Sequence, residues 1–150
     1  MGQLRNQIFY LVLCVALWGA PAMVTSTEPS MRSGHENLPE TTVIINNNLG
    51  DGLNLNIHCK SKDDDLGTHV IPDGGNYSWH FRVNLGSTTL FFCGFNWQDG
   101  SGVFDVYRAD RDTERCLHEC NWVARKNGLH GFKQGSREDD ILYSWETSLQ

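Results

Sequence analysis

The fold class is decided by residues 53–67, which read LNLNIHCKSKDDDLG. From Leu53 to Lys60 apolar side chains alternate with polar ones, which is the period of a strand that has one buried face. The residues that follow bring a second lysine and three successive aspartates before Gly67, and charges at this density stay in water. The stretch therefore predicts a half-buried strand that ends in an exposed, charged loop.

Similar strand patterns recur along the rest of the chain between turn sequences. Residues 42–45 run into asparagine- and glycine-rich turns, which predict a hairpin with the strand that begins at Leu53. Residues 88–95 and 102–107 form the clearest hairpin, and Asn127-Gly128 is typical of another tight one. Residues 109–115 read as a charged connection. The whole pattern predicts an all-β fold, a small disulfide-stabilised β-sandwich of about eight short antiparallel strands over residues 41–150.

The start of the chain has the pattern of a targeting segment. Residues 1–26 carry Arg5 ahead of an eleven-residue apolar run, which is short for a bilayer span, and small residues at 22–26 suit cleavage. A signal peptide over 1–26 predicts a secreted, extracellular protein that keeps no membrane anchor once the signal is removed. Residues 27–40 are polar and aperiodic, which indicates a flexible N-terminal arm.

Cysteine usage supports secretion. Removing Cys14 with the signal leaves Cys59, Cys93, Cys116 and Cys120, an even number in a short chain bound for an oxidising compartment. Four cysteines allow three pairings. Because Cys59 and Cys120 lie at inward positions of alternating strands, we expect them to bridge the two sheets. Cys93–Cys116 is then the second expected disulfide.

Metal, cofactor and enzyme interpretations are weak. The spacing of Cys116, His118 and Cys120 could suit zinc, but no second ligand pair has suitable spacing. Three adjacent aspartates lack the alternation of a calcium loop. The chain has no nucleophile elbow, zincin motif or phosphate-binding glycine loop, so we expect no catalytic residues and no cofactor. A net charge of −6 without a basic block argues against a nucleic-acid partner.

Several motifs together resemble the plant self-incompatibility S-protein family, the S-protein homologues. They occur in order across most of residues 41–147. The motifs are the strand ending in His58-Cys59, the Ser61-to-Gly67 loop, Thr89-Leu90-Phe91-Phe92-Cys93, Trp97, Phe104-Asp105-Val106-Tyr107 and Cys120-Asn121-Trp122. The resemblance implies a small secreted β-sandwich that acts as a cell-to-cell ligand. In members that control self-incompatibility, it implies a pistil protein recognised by a receptor on pollen, whose growth is then inhibited.

The charged loop is the predicted recognition site. Its carboxylates create a negative field that the lysines or arginines of a cell-surface receptor could complement. We therefore expect receptor-binding residues at Lys60, Lys62, Asp63, Asp64 and Asp65. Asn76-Tyr77-Ser78 is a glycosylation sequon next to a turn, which predicts an exposed Asn76 that can carry a glycan.

The alternative function is a secreted lectin-like or defence-related binding module. Aromatic side chains can stack on sugars, although most of those here lie at core positions of their strands. Trp97, beside a polar turn, is the exception. The aromatic residues concerned are Trp79, Phe91, Phe92, Phe95, Trp97, Phe104, Trp122 and Trp145.

Overall fold

The computed structural model describes residues 39–146, which form nine strands and one short helix. The predicted signal peptide and almost all of the predicted arm lie outside these residues. Across the described range, no helix has the length and apolar character needed to cross a membrane. The elements are β1 (Glu40–Asn47), β2 (Leu55–Lys60), β3 (Asp65–Ile71), β4 (Asn76–Arg82), β5 (Leu90–Trp97), β6 (Gly100–Arg108), α1 (Ala109–Asp112), β7 (Glu119–Arg125), β8 (Gly128–Phe132) and β9 (Asp139–Tyr143).

The strands form two sheets around one hydrophobic core. One sheet has the order β4-β1-β7-β8-β9 and the other has the order β3-β2-β5-β6. This architecture confirms the predicted sandwich, and both the β5–β6 hairpin and the tight β7–β8 turn lie where the sequence placed them. Among the ladders of residues 39–146, the β1–β7 pair is parallel and the others are antiparallel.

The predicted hairpin between β1 and β2 is wrong, because the two strands belong to different sheets. β1 is flanked by β4 and β7, whereas β2 is flanked by β3 and β5. At the end of β1 the buried amide of Asn47 donates to the carbonyls of Leu53 and Ile71, at 2.8 and 2.9 Å. The asparagine-rich stretch therefore connects the two sheets. Its turn-forming residues are the same as those of a hairpin, so composition alone does not distinguish the two kinds of connection.

Strand alternation determines which side chains fill the core. In β1, Val43 and Ile45 are fully buried, whereas the alternate residues Thr42, Ile44 and Asn46 are only partly buried. Burying an aliphatic or aromatic side chain of this kind contributes about 1.5–3 kcal/mol. The buried aromatic residues are Trp79, Phe91, Phe95, Trp97, Tyr107 and Trp122.

The predicted disulfide pairing is wrong: Cys59 is bonded to Cys93, and Cys116 to Cys120. All four cysteines are buried, including Cys59 and Cys120, whose strand positions indicated it. However, Cys59 and Cys93 lie directly opposite each other on neighbouring strands β2 and β5, with their Cα atoms 4.0 Å apart. This adjacency within one sheet, which alternation does not reveal, sets the first pairing. The second disulfide closes the connection that leads into β7, with a Cα separation of 5.1 Å.

The charged connection after β6 is partly buried. The side chain of Asp112, at the end of α1, is completely buried. It accepts hydrogen bonds from the Arg108 backbone N–H at 2.8 Å, from Arg111 at 2.7 and 3.0 Å, and from Arg115 at 3.2 Å. Arg115, itself 8% exposed, also binds the Asp140 carboxylate at 2.6 Å. A buried carboxylate is stable here because two guanidinium groups and a backbone amide compensate its charge.

Trp122 joins this ion cluster to the apolar core. The guanidinium groups of Arg111 and Arg115 lie 5.6 and 5.5 Å from the centroid of the Trp122 ring. The indole N–H donates to the Val106 carbonyl at 2.8 Å. Gly131 provides the space for the indole, since a Cβ at that position would lie 2.6 Å from the Trp122 ring.

Candidate functional site

The loop between β2 and β3 is shaped by a serine rather than by its carboxylates. The Ser61 backbone N–H donates to the carbonyl of Asp64 at 2.8 Å. The Ser61 hydroxyl oxygen accepts from the backbone N–H groups of Asp63 and Asp64, at 3.3 and 2.9 Å. A short polar side chain that bonds to nearby amides fixes a turn without help from the rest of the protein. The loop therefore presents its charged side chains on a preformed backbone.

The three adjacent aspartates have different environments. The loop is shorter than the predicted Ser61-to-Gly67 range, because Asp65 lies in β3 opposite Lys60 of β2. The Asp65 carboxylate contacts the Lys60 ammonium at 2.9 Å and the His58 ring at 2.6 Å, and it accepts from the Gly67 N–H at 3.0 Å. The hydrogen bond from Lys60, followed by that from His58, holds the pKa of Asp65 well below its usual range. The charges of Asp65 and Lys60 therefore largely compensate each other.

Lys62, Asp63 and Asp64 are the residues of the predicted site that stay available to a partner. All three are exposed, and none of them forms an ion pair within the part of the chain that the structure describes. The Asp64 carboxylate receives one long hydrogen bond, at 3.2 Å, from the Ser61 hydroxyl. The structure thus divides the five predicted receptor-binding residues into three free charges and one cross-strand pair.

A groove lies beside this loop. Its volume is about 590 Å³, and we call it the loop groove. One wall is Ser61 to Asp64, and the other is formed by Arg82, Asn84 and Thr88 at the β4–β5 connection. The rings of Phe81 and Phe91, with centroids 4.6 Å apart, close the floor, and Leu90 lines the groove with 39% of its surface exposed.

The β4–β5 connection was not recognised from the sequence. Asn84 organises it: its side-chain amide oxygen accepts from the Thr88 backbone N–H at 2.8 Å, and its backbone N–H donates to the Thr89 hydroxyl at 2.9 Å. Leu85 lies at the tip of this turn, with 73% of its surface exposed. A leucine between an asparagine and a glycine–serine pair was the signal that could have identified this turn, because an apolar side chain on a turn tip gains nothing from the core.

Asn76 is exposed, as predicted. It begins β4, an edge strand of the five-stranded sheet, and lies opposite Asn46 of β1. The inward side chains of this strand are those of Tyr77 and Trp79, so Asn76 belongs to the outer face. This position leaves room for a glycan, whose presence stays a prediction.

The aromatic residues do not form an exposed sugar platform. Trp97, the expected exception, is buried at 6% exposure, and its ring centroid lies 6.3 Å from that of Trp145. Phe104 stacks on Tyr143 with centroids 4.8 Å apart. Most of the rings thus pack in the core, whereas Phe92 is half-buried and lines the loop groove.

The described residues also offer no assembled metal site. Between residues 39 and 146, no three His, Cys, Asp or Glu side chains are grouped so that they could hold a metal ion. The sulfurs of Cys116 and Cys120, which had zinc-like spacing, are bonded to each other.

Comparison with known proteins gives a consistent result. The family model of the plant self-incompatibility protein S1 matches residues 42–145. S-protein homolog 6 from Arabidopsis thaliana is 44% identical over 108 residues, covering 71% of this chain and 77% of the relative. S-protein homolog 2 from the same plant is 38% identical over 126 residues, covering 81% and 78%.

The fold also resembles that of a solved structure. The TM-score is 0.60 at 21% sequence identity, and the match covers 74% of this chain and 98% of the other. That structure is of an SPH (Self-Incompatibility Protein Homologue) protein, from what is described as a widespread family of small, highly stable, secreted proteins from plants.

Proposed function

Because this chain belongs to the plant self-incompatibility protein S1 family, we propose that it is a secreted ligand recognised by a receptor on the surface of another cell. In its most specific form, the proposal is that the protein is a pistil determinant whose receptor lies on pollen and whose binding inhibits incompatible pollen. The protein acts by binding rather than by catalysis. The observation that carries the proposal is the set of free charges at Lys62, Asp63 and Asp64 on a preformed loop.

Secretion is supported by several observations together. The two buried disulfides suit an oxidising compartment, and the related SPH structure is described as that of a secreted plant protein. The apolar run near the N-terminus has the length of the apolar core of a signal peptide. A ligand of this kind reaches its receptor by diffusion between cells.

The charges suit recognition by a basic receptor surface. Asp63 and Asp64 lie next to each other, and neither is neutralised within residues 39–146. Rim charges of this kind mainly accelerate encounter, and salt screens them. Since the Ser61 hydrogen bonds already order the loop backbone, binding costs little conformational entropy there.

The experiment separates the free carboxylates from the paired one. In Asp63→Asn/Asp64→Asn, we expect unchanged secretion and thermal unfolding, with activity on pollen reduced by about threefold to tenfold at low salt. The readouts are pollen-tube growth and cytosolic calcium after exposure to the folded protein. The matched control is Asp99→Asn/Glu138→Gln, which removes two exposed charges elsewhere and should keep full activity.

Two results bear directly on the proposal. Full activity of Asp63→Asn/Asp64→Asn at every salt concentration would refute recognition through these carboxylates. If the wild-type protein elicits no response from pollen of any genotype, the pistil role is wrong.

A further inference from the structure

The loop groove has a mostly apolar floor and a charged rim, which together restrict the chemistry of an occupant. The floor consists of Phe81, Phe91 and the exposed part of Leu90. On the rim, Lys62 and Arg82 bring two positive charges beside the negative charges of Asp63 and Asp64, and neither cation forms an ion pair within residues 39–146. An apolar floor favours a partner that brings an apolar side chain, and a rim of both signs disfavours a polyanion or an anionic membrane.

A second depression extends the surface on the other side of Leu90. Its volume is about 340 Å³, and it shares the segment Thr88 to Leu90 with the loop groove. Its charged lining residues are Asp105, Arg108 and Asp110. Arg108 is bound to Asp110 at 2.6 Å, whereas Asp105 forms no ion pair in the described part of the chain. Leu90 therefore lines both depressions, and each has a carboxylate without an ion pair in the described residues: exposed Asp63 and Asp64 in one, and half-buried Asp105 in the other.

Both walls of the loop groove are ordered without a ligand. Ser61 fixes one wall through its hydroxyl, and Asn84 fixes the other through three hydrogen bonds to Thr88 and Thr89 of 2.7–2.9 Å. Because these hydrogen bonds already hold both walls in place, binding loses little free energy to ordering them.

We propose that these two depressions form one docking surface for an extended segment of a protein partner, which places an apolar or aromatic side chain on Leu90 and one lysine or arginine on either side. One cation lies beside Asp63 and Asp64, and the other lies beside Asp105. A continuous run of cations fits less well, because Lys62 and Arg82 stand on the same rim. This inference deepens the proposed function and rests on it for its biological meaning, since the segment would belong to the receptor.

The test uses peptides as probes and therefore does not depend on finding the receptor. Three capped heptapeptides are titrated to millimolar concentration into the isotope-labelled, oxidised protein. One carries phenylalanine between two lysines, one has the lysines replaced by glutamates, and one has the phenylalanine replaced by serine. Backbone amide chemical shifts report where each peptide binds.

We expect the lysine–phenylalanine–lysine peptide to shift the amide signals of residues 61–64 and 84–90 saturably. The serine peptide should bind at least about fivefold more weakly, because it leaves the apolar floor uncovered. The glutamate peptide should bind weakest of the three. Equal binding of all three peptides, or saturation without any shift at residues 61–64 and 84–90, overturns the docking surface.

Variants with matched controls assign the contacts. Leu90→Ser should weaken binding by about fivefold, whereas Val103→Ser, on the exposed side of β6 at 68% exposure, should not change it. Asp63→Asn/Asp64→Asn should weaken binding by about threefold, and the charge-matched Asp99→Asn/Glu138→Gln should leave it unchanged. If Leu90→Ser and Val103→Ser bind alike, the anchor position is wrong.

The two proposals fail in different ways. If the peptides bind as expected but the protein has no effect on pollen, the docking surface stands and the pistil function does not. If the peptides leave the groove amides unchanged while Asp63→Asn/Asp64→Asn still loses pollen activity, the function stands and the docking surface is wrong.

Discussion

Replacing Asp112 with asparagine removes the negative charge that pairs with the buried guanidinium group of Arg115 and the partly buried one of Arg111. The Asp112 side chain has no exposed surface, and it binds Arg111 at 2.7 Å and Arg115 at 3.2 Å. Breaking a buried ion pair by removing one partner costs about 3–5 kcal/mol, because the remaining charge stays desolvated. Domains of this size have a free energy of unfolding of about 5–15 kcal/mol. We therefore expect Asp112→Asn to lower the Tm by at least about 12 °C.

Urea unfolding followed by tryptophan fluorescence measures the loss in free energy of unfolding, and a thermal melt measures the fall in Tm. Both disulfides are kept oxidised in the two experiments. The matched control is Asp110→Asn in the same short helix. Its carboxylate pairs with Arg108 at 2.6 Å, but the two side chains are 64% and 46% exposed, so solvent screens the pair and stability should barely change. A double-mutant cycle with Arg115→Met should show coupling, since both changes remove the same contact. A loss below about 1 kcal/mol for Asp112→Asn would contradict the buried-charge interpretation.

Three further outcomes follow from particular contacts. We expect Gly131→Ala to lower the free energy of unfolding by about 1–3 kcal/mol, because the added Cβ would lie 2.6 Å from the Trp122 ring. Urea unfolding measures this change, and unchanged stability would show that the ring can move away. The hydrogen bond from Arg115 lowers the pKa of Asp140, so this group's contribution to stability is present above its unfolded pKa of about 3.8 and is lost as the pH falls below that value. Asp140→Asn should therefore flatten the acid limb of stability against pH, and an unaltered limb would exclude this role. Asn76→Gln should be secreted and fold normally but migrate faster on a gel if the wild type carries a glycan, whereas aggregation of the variant would show that the site is needed for folding.

Strand patterns predicted the elements better than they predicted the neighbours of each element. Alternation assigned the inward faces of β2 and β7 correctly, since it records only whether a side chain faces water. Sheet membership depends on contacts between distant segments, such as Cys59 with Cys93, and local pattern carries no information about them. The β1–β2 hairpin and the disulfide pairing were wrong for this one reason.

The candidate site was predicted in part. Exposure of Lys62, Asp63 and Asp64 follows from their charge, whereas the pairing of Asp65 with Lys60 depends on where β3 begins. The loop groove was not predicted because its second wall begins 18 residues after Asp64 in the chain, beyond the intervening strand β3, and local pattern does not show that the two segments meet. Burial of Asp112 was equally hidden, because a charged run normally indicates a solvated connection.

The parallel ladder between β1 and β7 has a consequence for how the chain is made. Thr41 donates to the Leu117 carbonyl across 76 positions of sequence, and β4, on the other side of β1, also follows it in the chain. During synthesis β1 therefore emerges before either β4 or β7 has been made, and its apolar residues stay unpaired in the nascent chain until then. Long-range pairing of this kind slows folding and lengthens the exposure of unpaired strands. The five-stranded sheet can close only after nearly the whole domain has entered the secretory compartment, because β9, at its edge, is the last strand of the chain's described part.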